Sequence, residues 1–152
     1  MQIIHIQYRM KNSTSNLDLC RLIELPKFLD PRGNLSFFEN EIQIPFQMKR
    51  TYLIFDVPGG EIRGGHAFKE QEEFIVALSG SFDVVVKDAS GETKSIQLNR
   101  SYFGLFIPKL LWRHMENFST NAVCLVASST FFEPNDYIRD FQDFARLNAV
   151  EQ

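Results

Sequence analysis

Short runs of β-branched and aromatic residues follow one another along most of the chain after Cys20, and turn residues separate them. Runs of this length, in which apolar and polar positions alternate, are typical of β-strands. The turn sequences include D-P-R-G, P-G-G, L-S-G-S and D-A-S-G-E. The pattern predicts strands at residues 21–25, 35–39, 49–57, 74–78, 82–87, 93–98, 102–107 and 122–128. This spacing is typical of an all-β sandwich or barrel.

The two ends of the chain differ from this pattern. Between Asn135 and about Val150 the apolar positions return at helical spacing, and Asn135 suits a helix cap. We therefore predict one short C-terminal helix on the outside of the β core, with an apolar stripe formed by Tyr137, Ile138, Phe141, Phe144 and Ala145. Near the other end, the polar stretch K-N-S-T-S-N predicts an N-terminal extension, residues 1–19, with a short leading strand. Residues 20–152 form the domain itself.

Composition narrows the class of protein. A chain of 152 residues with 44% hydrophobic residues fits a single domain with its own core. The net charge is −3 and the basic residues are dispersed, which argues against a nucleic-acid partner. No apolar run reaches membrane-spanning length, and the amino end lacks the layout of a secretion signal. Cys20 and Cys124 have no metal or redox spacing, so we expect two unpaired thiols and a cytoplasmic location.

Residues 60–80 contain the most informative spacing in the chain. The metal-binding pattern of cupins is Gly, five residues, His-x-His, three or four residues, Glu, six residues and Gly. Here the matching positions are Gly60, His66, Glu73 and Gly80, and Phe68 stands where the second His belongs. Side chains alternate between the faces of a strand, so His66 and Phe68 are expected to point into the same cavity.

The second half of the cupin pattern also departs from a metal site. Arg113 stands where the last His ligand belongs, in a segment marked by Gly104, Pro108 and Asn117. His66 and Glu73 are then the two remaining ligands, which would leave a divalent ion mostly to water. The sequence therefore predicts no catalytic metal. His114 is a possible third ligand, but it follows Arg113 directly and is expected to face the other way in an extended segment.

Four segments resemble the sugar-nucleotide 3,4-ketoisomerases, which act on dTDP-4-keto-6-deoxyglucose. They are I-P-F-Q-M-K-R-T-Y-L-I-F-D, R-G-G-H-A-F-K, G-L-F-I-P-K-L-L-W-R-H-M and the tail F-S-T-N-A-V-C-L-V-A-S-S-T-F-F-E-P-N-D-Y-I-R-D-F-Q-D-F. In this order they cover about residues 20–144. The resemblance implies a cupin jelly-roll β-barrel, a homodimer and catalysis without a cofactor. It also implies a cytoplasmic enzyme that makes deoxyamino sugars for surface polysaccharides.

The resemblance assigns roles position by position. His66 matches the catalytic base, and Tyr52 matches an active-site tyrosine, which we expect to be catalytic as an acid or oxyanion donor. The substrate-binding positions are Arg32, Arg50, Arg63, Glu73 and Arg113. Among these, Arg32 and Arg113 fall where family members differ with the C4 epimer that they make. Phe68 departs from the family's His-x-His, and Glu73 is often a Gln there.

The implied reaction isomerises a dTDP-4-keto-6-deoxyhexose to the 3-keto sugar. A base removes the acidic C3 hydrogen, an enediol forms, and reprotonation at C4 completes the step. Histidine supplies such a base near neutral pH, and arginines suit the diphosphate of a dTDP-linked sugar. Two alternatives remain open: a non-catalytic sugar-nucleotide-binding cupin that lost activity with the second His, and an isomerase or epimerase of a related keto sugar. The C4 configuration of the product is also open.

Overall fold

The computed structural model of the protein describes residues 16–150, and the predicted leading strand lies outside them. The helices are α1 (Asn16–Leu19) and α2 (Phe141–Val150). The strands are β1 (Arg21–Glu24), β2 (Lys27–Phe28), β3 (Leu35–Ser36), β4 (Arg50–Phe55), β5 (Arg63–Phe68), β6 (Glu73–Ser79), β7 (Phe82–Lys87), β8 (Thr93–Leu98), β9 (Phe103–Ile107), β10 (Trp112–Glu116), β11 (Val123–Ser128) and β12 (Tyr137–Ile138). Each predicted strand overlaps an observed one.

The strands form two five-stranded sheets and one small hairpin. Sheet 1 has the order β1-β9-β6-β11-β4, and sheet 2 has the order β12-β5-β10-β7-β8. Within both sheets the neighbouring strands are antiparallel. Strands β2 and β3 pair separately. The prediction of a mostly β protein with one short C-terminal helix is confirmed.

The main core contains side chains from both sheets. Ile75 and Val126 come from sheet 1, and Val84 and Met115 come from sheet 2, and all four are almost fully buried in one cluster. Alternate residues of a strand face opposite sides, so the strict alternation in β10 buries Arg113 and Met115 while His114 is only half-buried. Leu17 of α1 joins the same core. Both cysteines are buried and unpaired, as predicted.

The predicted C-terminal helix begins six residues too early. A 3-10 helix, Pro134–Asp136, and strand β12 take the first part of the segment, and α2 begins only at Phe141. Strand β12 pairs with β5, with Tyr137 opposite Phe68 and Ile138 opposite Ala67. The N-terminus of α2 is capped by Asp140, whose carboxylate accepts a hydrogen bond from the Asp143 N–H at 3.0 Å. Strand pairing therefore overrides the helical spacing of the apolar residues.

Helix α2 packs on the outside of sheet 2. Phe141 and Phe144 contact Trp112 of β10, with ring centroids 5.5 and 6.1 Å from the indole. Neither helix of the described chain has the length and apolar character that crossing a bilayer requires.

Candidate active site

His66 lies in β5, which runs between β12 and β10 in sheet 2. It is paired with Arg113 of β10, and the register shifts by one residue before His114 pairs with Gly64. This bulge depends on glycine, because Gly64 has φ +96° and a Cβ there would lie 2.9 Å from the Arg113 Nη1. Gly64, the first residue of the G-G before His66, is therefore what lets the strand pass the arginine closely.

Arg113, Glu73 and Tyr52 form a buried hydrogen-bonded triad that joins the two sheets. The Arg113 Nε donates to Glu73 Oε1 and its Nη2 donates to Oε2, both at 2.8 Å. The Arg113 Nη2 also donates to the Tyr52 hydroxyl oxygen at 2.8 Å. That hydroxyl donates in turn to Glu73 Oε2 at 2.7 Å. Arg113 and Glu73 are each 1% exposed, so the two charges form a buried ion pair in which each neutralises the other.

The triad holds its members in fixed protonation states. Burial would lower the pKa of Arg113, but Glu73 and Tyr52 outweigh it and raise that pKa above its usual value. Burial, followed by the Glu73 carboxylate, raises the pKa of Tyr52 well above its usual range, although Arg113 opposes the shift. At neutral pH Arg113 is therefore a guanidinium and Tyr52 is a neutral phenol.

His66 differs from the triad because its polar group has no protein partner. Its Nε2 is buried, and no hydrogen-bond partner exists for it among residues 16–150. Burial, together with the positive charges of Arg113 and Arg139, lowers the pKa of His66 to about 3. The imidazole is therefore neutral at physiological pH, and its buried Nε2 lacks the hydrogen bond that a buried polar group usually makes.

Two aromatic side chains contact His66, and a third packs behind them. The His66 ring lies 4.9 Å from Phe68 and 5.1 Å from Tyr137, measured between centroids. Tyr137 contacts Phe68 at 4.6 Å and Phe132 at 6.0 Å. His66 and Phe68 lie on one face of β5 and pack ring against ring, but of the two only His66 lines the cavity described below, so the expectation that both point into it holds for His66 alone.

A cavity of about 260 Å³ opens beside His66. The polar and aromatic residues that line it are Arg50, Tyr52, Arg63, His66, Arg113, Phe132 and Tyr137. Arg50 donates to the Gln71 Oε1 at 3.2 Å, and its buried Nε lacks a partner within the described part of the chain. Arg63 is exposed at the rim. Both guanidinium groups are thus positioned to bind an anion in the cavity.

Five of the seven residues predicted for the site line this cavity, and Glu73 lies behind them in the triad. Arg32 is elsewhere: it lies in the turn between β2 and β3, its side chain is 90% exposed, and it pairs with Asp30 at 2.9 Å. His114 contacts Glu116 at 3.1 Å and does not line the cavity.

The sequence analysis missed Tyr137, Phe132 and Arg139 as site residues. Tyr137 lies in the quoted tail segment, but its helical spacing assigned it to a packing stripe. Asp136 is the residue that could have indicated a strand here instead of a helix. Its buried carboxylate accepts from the backbone N–H groups of Glu70 and Gln71 at 2.8 and 3.0 Å, which fixes the tail against the β5–β6 loop.

The donor set fits a metal ion poorly. Both oxygens of Glu73 accept from Arg113, so this carboxylate has no free charge for a cation. Phe68 and Arg113 occupy the other ligand positions of the cupin pattern. Within residues 16–150 no three His, Cys, Asp or Glu side chains form a metal-binding group.

The fold and the cavity define a class: a protein of two antiparallel β-sheets, with a neutral histidine and three arginines around one cavity. The comparison with known proteins is more specific. Residues 18–149 match the family model described as FdtA, WxcM-like, C-terminal. The chain belongs to this family.

Relatives of known activity support the same family. The TDP-4-oxo-6-deoxy-α-D-glucose-3,4-oxoisomerase of Aneurinibacillus thermoaerophilus is 36% identical over 129 residues, which is 85% of this chain and 92% of the relative. A 3,4-ketoisomerase from Helicobacter canadensis is 41% identical, with a TM-score of 0.81 over 84% of this chain and 96% of the other. QdtA of Thermoanaerobacterium thermosaccharolyticum, a sugar 3,4-ketoisomerase in complex with TDP, is 33% identical, with a TM-score of 0.83 over 87% and 96% of the chains.

Proposed function

We propose that this protein is a TDP-sugar 3,4-ketoisomerase, which converts a TDP-4-keto-6-deoxyhexose into the 3-keto sugar. The observation that carries the proposal is the neutral His66, whose buried Nε2 has no partner in the described structure and lies at a cavity with two arginines. A base that must remove a carbon-bound proton needs a free lone pair in a site of this kind. The activities of the relatives agree with this chemistry.

His66 is the base that moves hydrogen from C3 to C4. Removal of the C3 hydrogen moves its electron pair into a C3–C4 double bond, and the enediol then takes the proton back at C4. The pKa of about 3 makes the free imidazole a weak base. A bound diphosphate beside Arg50 and Arg63 adds negative charge to the cavity, which raises the His66 pKa toward the working pH.

Tyr52 contacts the reacting sugar oxygens from the side of sheet 1. Glu73 and Arg113 hold its hydroxyl in one orientation by hydrogen bonds of 2.7 and 2.8 Å. Because its single proton is donated to Glu73, Tyr52 offers the sugar an oxygen that can accept a hydrogen bond from a substrate hydroxyl. In this proposal Glu73 and Arg113 belong to the substrate site through Tyr52.

Arg50 and Arg63 bind the diphosphate. Neither guanidinium group has a carboxylate partner among residues 16–150, and planar guanidinium groups bind phosphate oxygens in pairs. Arg32 stays a proposed substrate contact on the strength of the resemblance, and its exposed turn position means that it acts at the periphery.

The same proposal extends to architecture and setting. The two sheets correspond to the cupin jelly-roll barrel, with the domain boundary after residue 19. The enzyme is a cytoplasmic homodimer that acts without metal or cofactor and serves deoxyamino-sugar synthesis for surface polysaccharides. Metal independence is supported by the bidentate Arg113–Glu73 pair, because it removes the carboxylate from the ligand set.

An NMR time course with TDP-4-keto-6-deoxyglucose in deuterated water, with chelator present, tests the proposal. We expect conversion to a 3-keto sugar with deuterium at C4, and the C4 configuration identifies the product. Tight binding of the sugar nucleotide without conversion or C3 exchange would instead support the binding-protein alternative, which Phe68 favours. If conversion is lost with chelator and restored by added divalent metal, metal independence is contradicted, but the proposed isomerisation stands.

A further inference from the structure

The proposed isomerisation needs two proton carriers. One hydrogen moves between carbons C3 and C4, and one proton moves between the oxygens attached to them. His66 serves the carbons. The second carrier must have a proton that it can release to a substrate oxygen, and a hydroxyl whose proton is already bound to a carboxylate is poorly suited to that task.

The Tyr52 hydroxyl is engaged on both sides. Its proton is donated to Glu73 at 2.7 Å, and its oxygen accepts from Arg113 at 2.8 Å. A Tyr52 that gave its proton to the sugar would leave the buried Glu73 carboxylate without this donor. Tyr52 is therefore a fixed contact, and the mobile proton has to come from another group.

Tyr137 is the other tyrosine of the cavity. Its ring lies 5.1 Å from that of His66, and it forms part of the cavity lining. The side-chain interactions of Tyr137 with residues 16–150 are ring contacts, on His66, Phe68, Phe132 and Arg139, and its hydroxyl has no hydrogen-bond partner in that range. The residue is partly exposed, so the hydroxyl is open to water or a ligand.

The position of Tyr137 is fixed from three directions. Strand β12 pairs it with Phe68 of β5, two residues from His66. The buried carboxylate of the preceding Asp136 anchors the tail to the β5–β6 loop. The guanidinium of Arg139 lies 4.5 Å from the ring centroid, on a residue exposed to solvent. A residue held this way keeps its distance from His66 when a ligand enters.

We propose that Tyr137 is a second catalytic residue, which carries the proton between the two sugar oxygens while His66 carries the hydrogen between the two carbons. This inference rests on the proposed function. When His66 takes the C3 hydrogen, the C3–H electrons form the C3–C4 double bond and the carbonyl electrons move to O4, which takes the proton of Tyr137. The tyrosinate then removes the proton of the C3 hydroxyl. C3 becomes the carbonyl, and the double-bond electrons take the proton of His66 at C4.

The step leaves both residues as they began and needs no other reactant. The proposed role of Tyr137 also compensates for Phe68 in the cupin pattern. A phenyl ring in place of the second motif histidine has no proton to exchange, and it packs edge-on against Tyr137 at 4.6 Å. The proton-carrying group is thus supplied by the neighbouring strand.

The test compares Tyr137→Phe with Tyr102→Phe in the full-length protein. Tyr102 lies outside the cavity, with Lys27 over its ring at 4.0 Å, so its variant controls for loss of a phenol elsewhere. We expect Y137F to lower kcat for TDP-4-keto-6-deoxyglucose by about 10²-fold, with KM and TDP affinity within about threefold of wild type. A kcat within about threefold of wild type would overturn the proposal.

Two further measurements separate the possible failures. If wild type and Y102F do not turn over the substrate, the proposed function has failed and the role of Tyr137 in it falls as well. If Y137F alters folding, 3-fluorotyrosine placed at position 137 tests the role without changing the packing. Fluorine makes a phenol more acidic, so the alkaline limit of kcat moves to lower pH if the phenol proton is transferred. An unmoved limit would contradict the proposal.

Discussion

The two walls of the cavity use polar groups in opposite ways. On one wall, Tyr52, Glu73 and Arg113 satisfy one another at 2.7–2.8 Å, and nothing in the triad is left for a ligand except its outer face. On the other wall, His66 has an unpartnered Nε2 among aromatic rings. The triad therefore resembles a network that stabilises the fold, whereas the surroundings of His66 resemble a ligand-binding site.

The difference separates stability from chemistry. A buried ion pair that is fully hydrogen-bonded becomes costly when one member is removed, because the other charge stays behind. An unpartnered imidazole contributes little to folding, and its burial already opposes protonation. Changes in the triad are therefore expected to alter the free energy of unfolding, while changes at His66 are expected to alter the rate. The predictions below test this division.

The largest effect is expected from His66→Asn. Removal of the base lowers kcat by about 10²–10⁴-fold, because the C3 hydrogen has no acceptor. TDP binding and the melting temperature stay near those of wild type, since the imidazole nitrogen has no protein partner to lose. The measurements are C3 hydrogen exchange in deuterated water, calorimetric TDP binding and thermal unfolding.

His114→Asn is the matched control for that variant. His114 is also a histidine of sheet 2, but its partner is Glu116 and it does not line the cavity. H114N should keep the wild-type rate within about twofold, as expected for a residue without transition-state contact. A wild-type rate in H66N would refute the assignment of the base.

The next effect is expected from Glu73→Ala. The variant leaves the Arg113 guanidinium buried without a counter-charge and should lose about 3–5 kcal/mol in the free energy of unfolding. Glu73→Gln retains an acceptor and should lose less. Chemical denaturation checks both, with Glu116→Ala as the control at a partly exposed pair. Equal losses of unfolding free energy in E73A and E116A would contradict a special contribution of the triad to stability.

Protonation of His66 gives a smaller, pH-dependent effect. Its pKa is 6.5 in an unfolded chain and about 3 in the folded protein, so between these values the unfolded state binds more protons. Stability therefore rises with pH across this window and is lost as the pH falls through it, by at most about 1.4 kcal/mol per pH unit. The difference in unfolding free energy between wild type and H66N, measured from pH 7 down to about 5, should show this slope. A difference that is independent of pH would contradict the lowered pKa.

The sequence predicted sheet 1 and most of the site, and it failed where tertiary contacts decide the structure. His66, Phe68 and Arg113 were placed on the correct strand faces because strand alternation is a local rule. The hydrogen-bonded triad could not be predicted, since Tyr52, Glu73 and Arg113 come from three strands of two sheets. Tyr137 was misassigned because a short strand paired with β5 has the same apolar spacing as the first turn of a helix.

The smallest effect is expected from Arg139→Gln. Arg139 is exposed, yet its positive charge contributes to the lowered pKa of His66 after burial and Arg113. Its removal favours the imidazolium, so the His66 pKa should rise, by less than about one unit because solvent screens an exposed charge. Proton NMR titration of the His66 ring, assigned by comparison with H66N, measures the shift. Arg146→Gln on α2 is the control, since Arg146 pairs with Asp143 away from the cavity. If the His66 pKa is the same in R139Q and R146Q, burial and Arg113 alone lower it. The charge of Arg139, which lies over the Tyr137 ring, then has no effect on the His66 pKa.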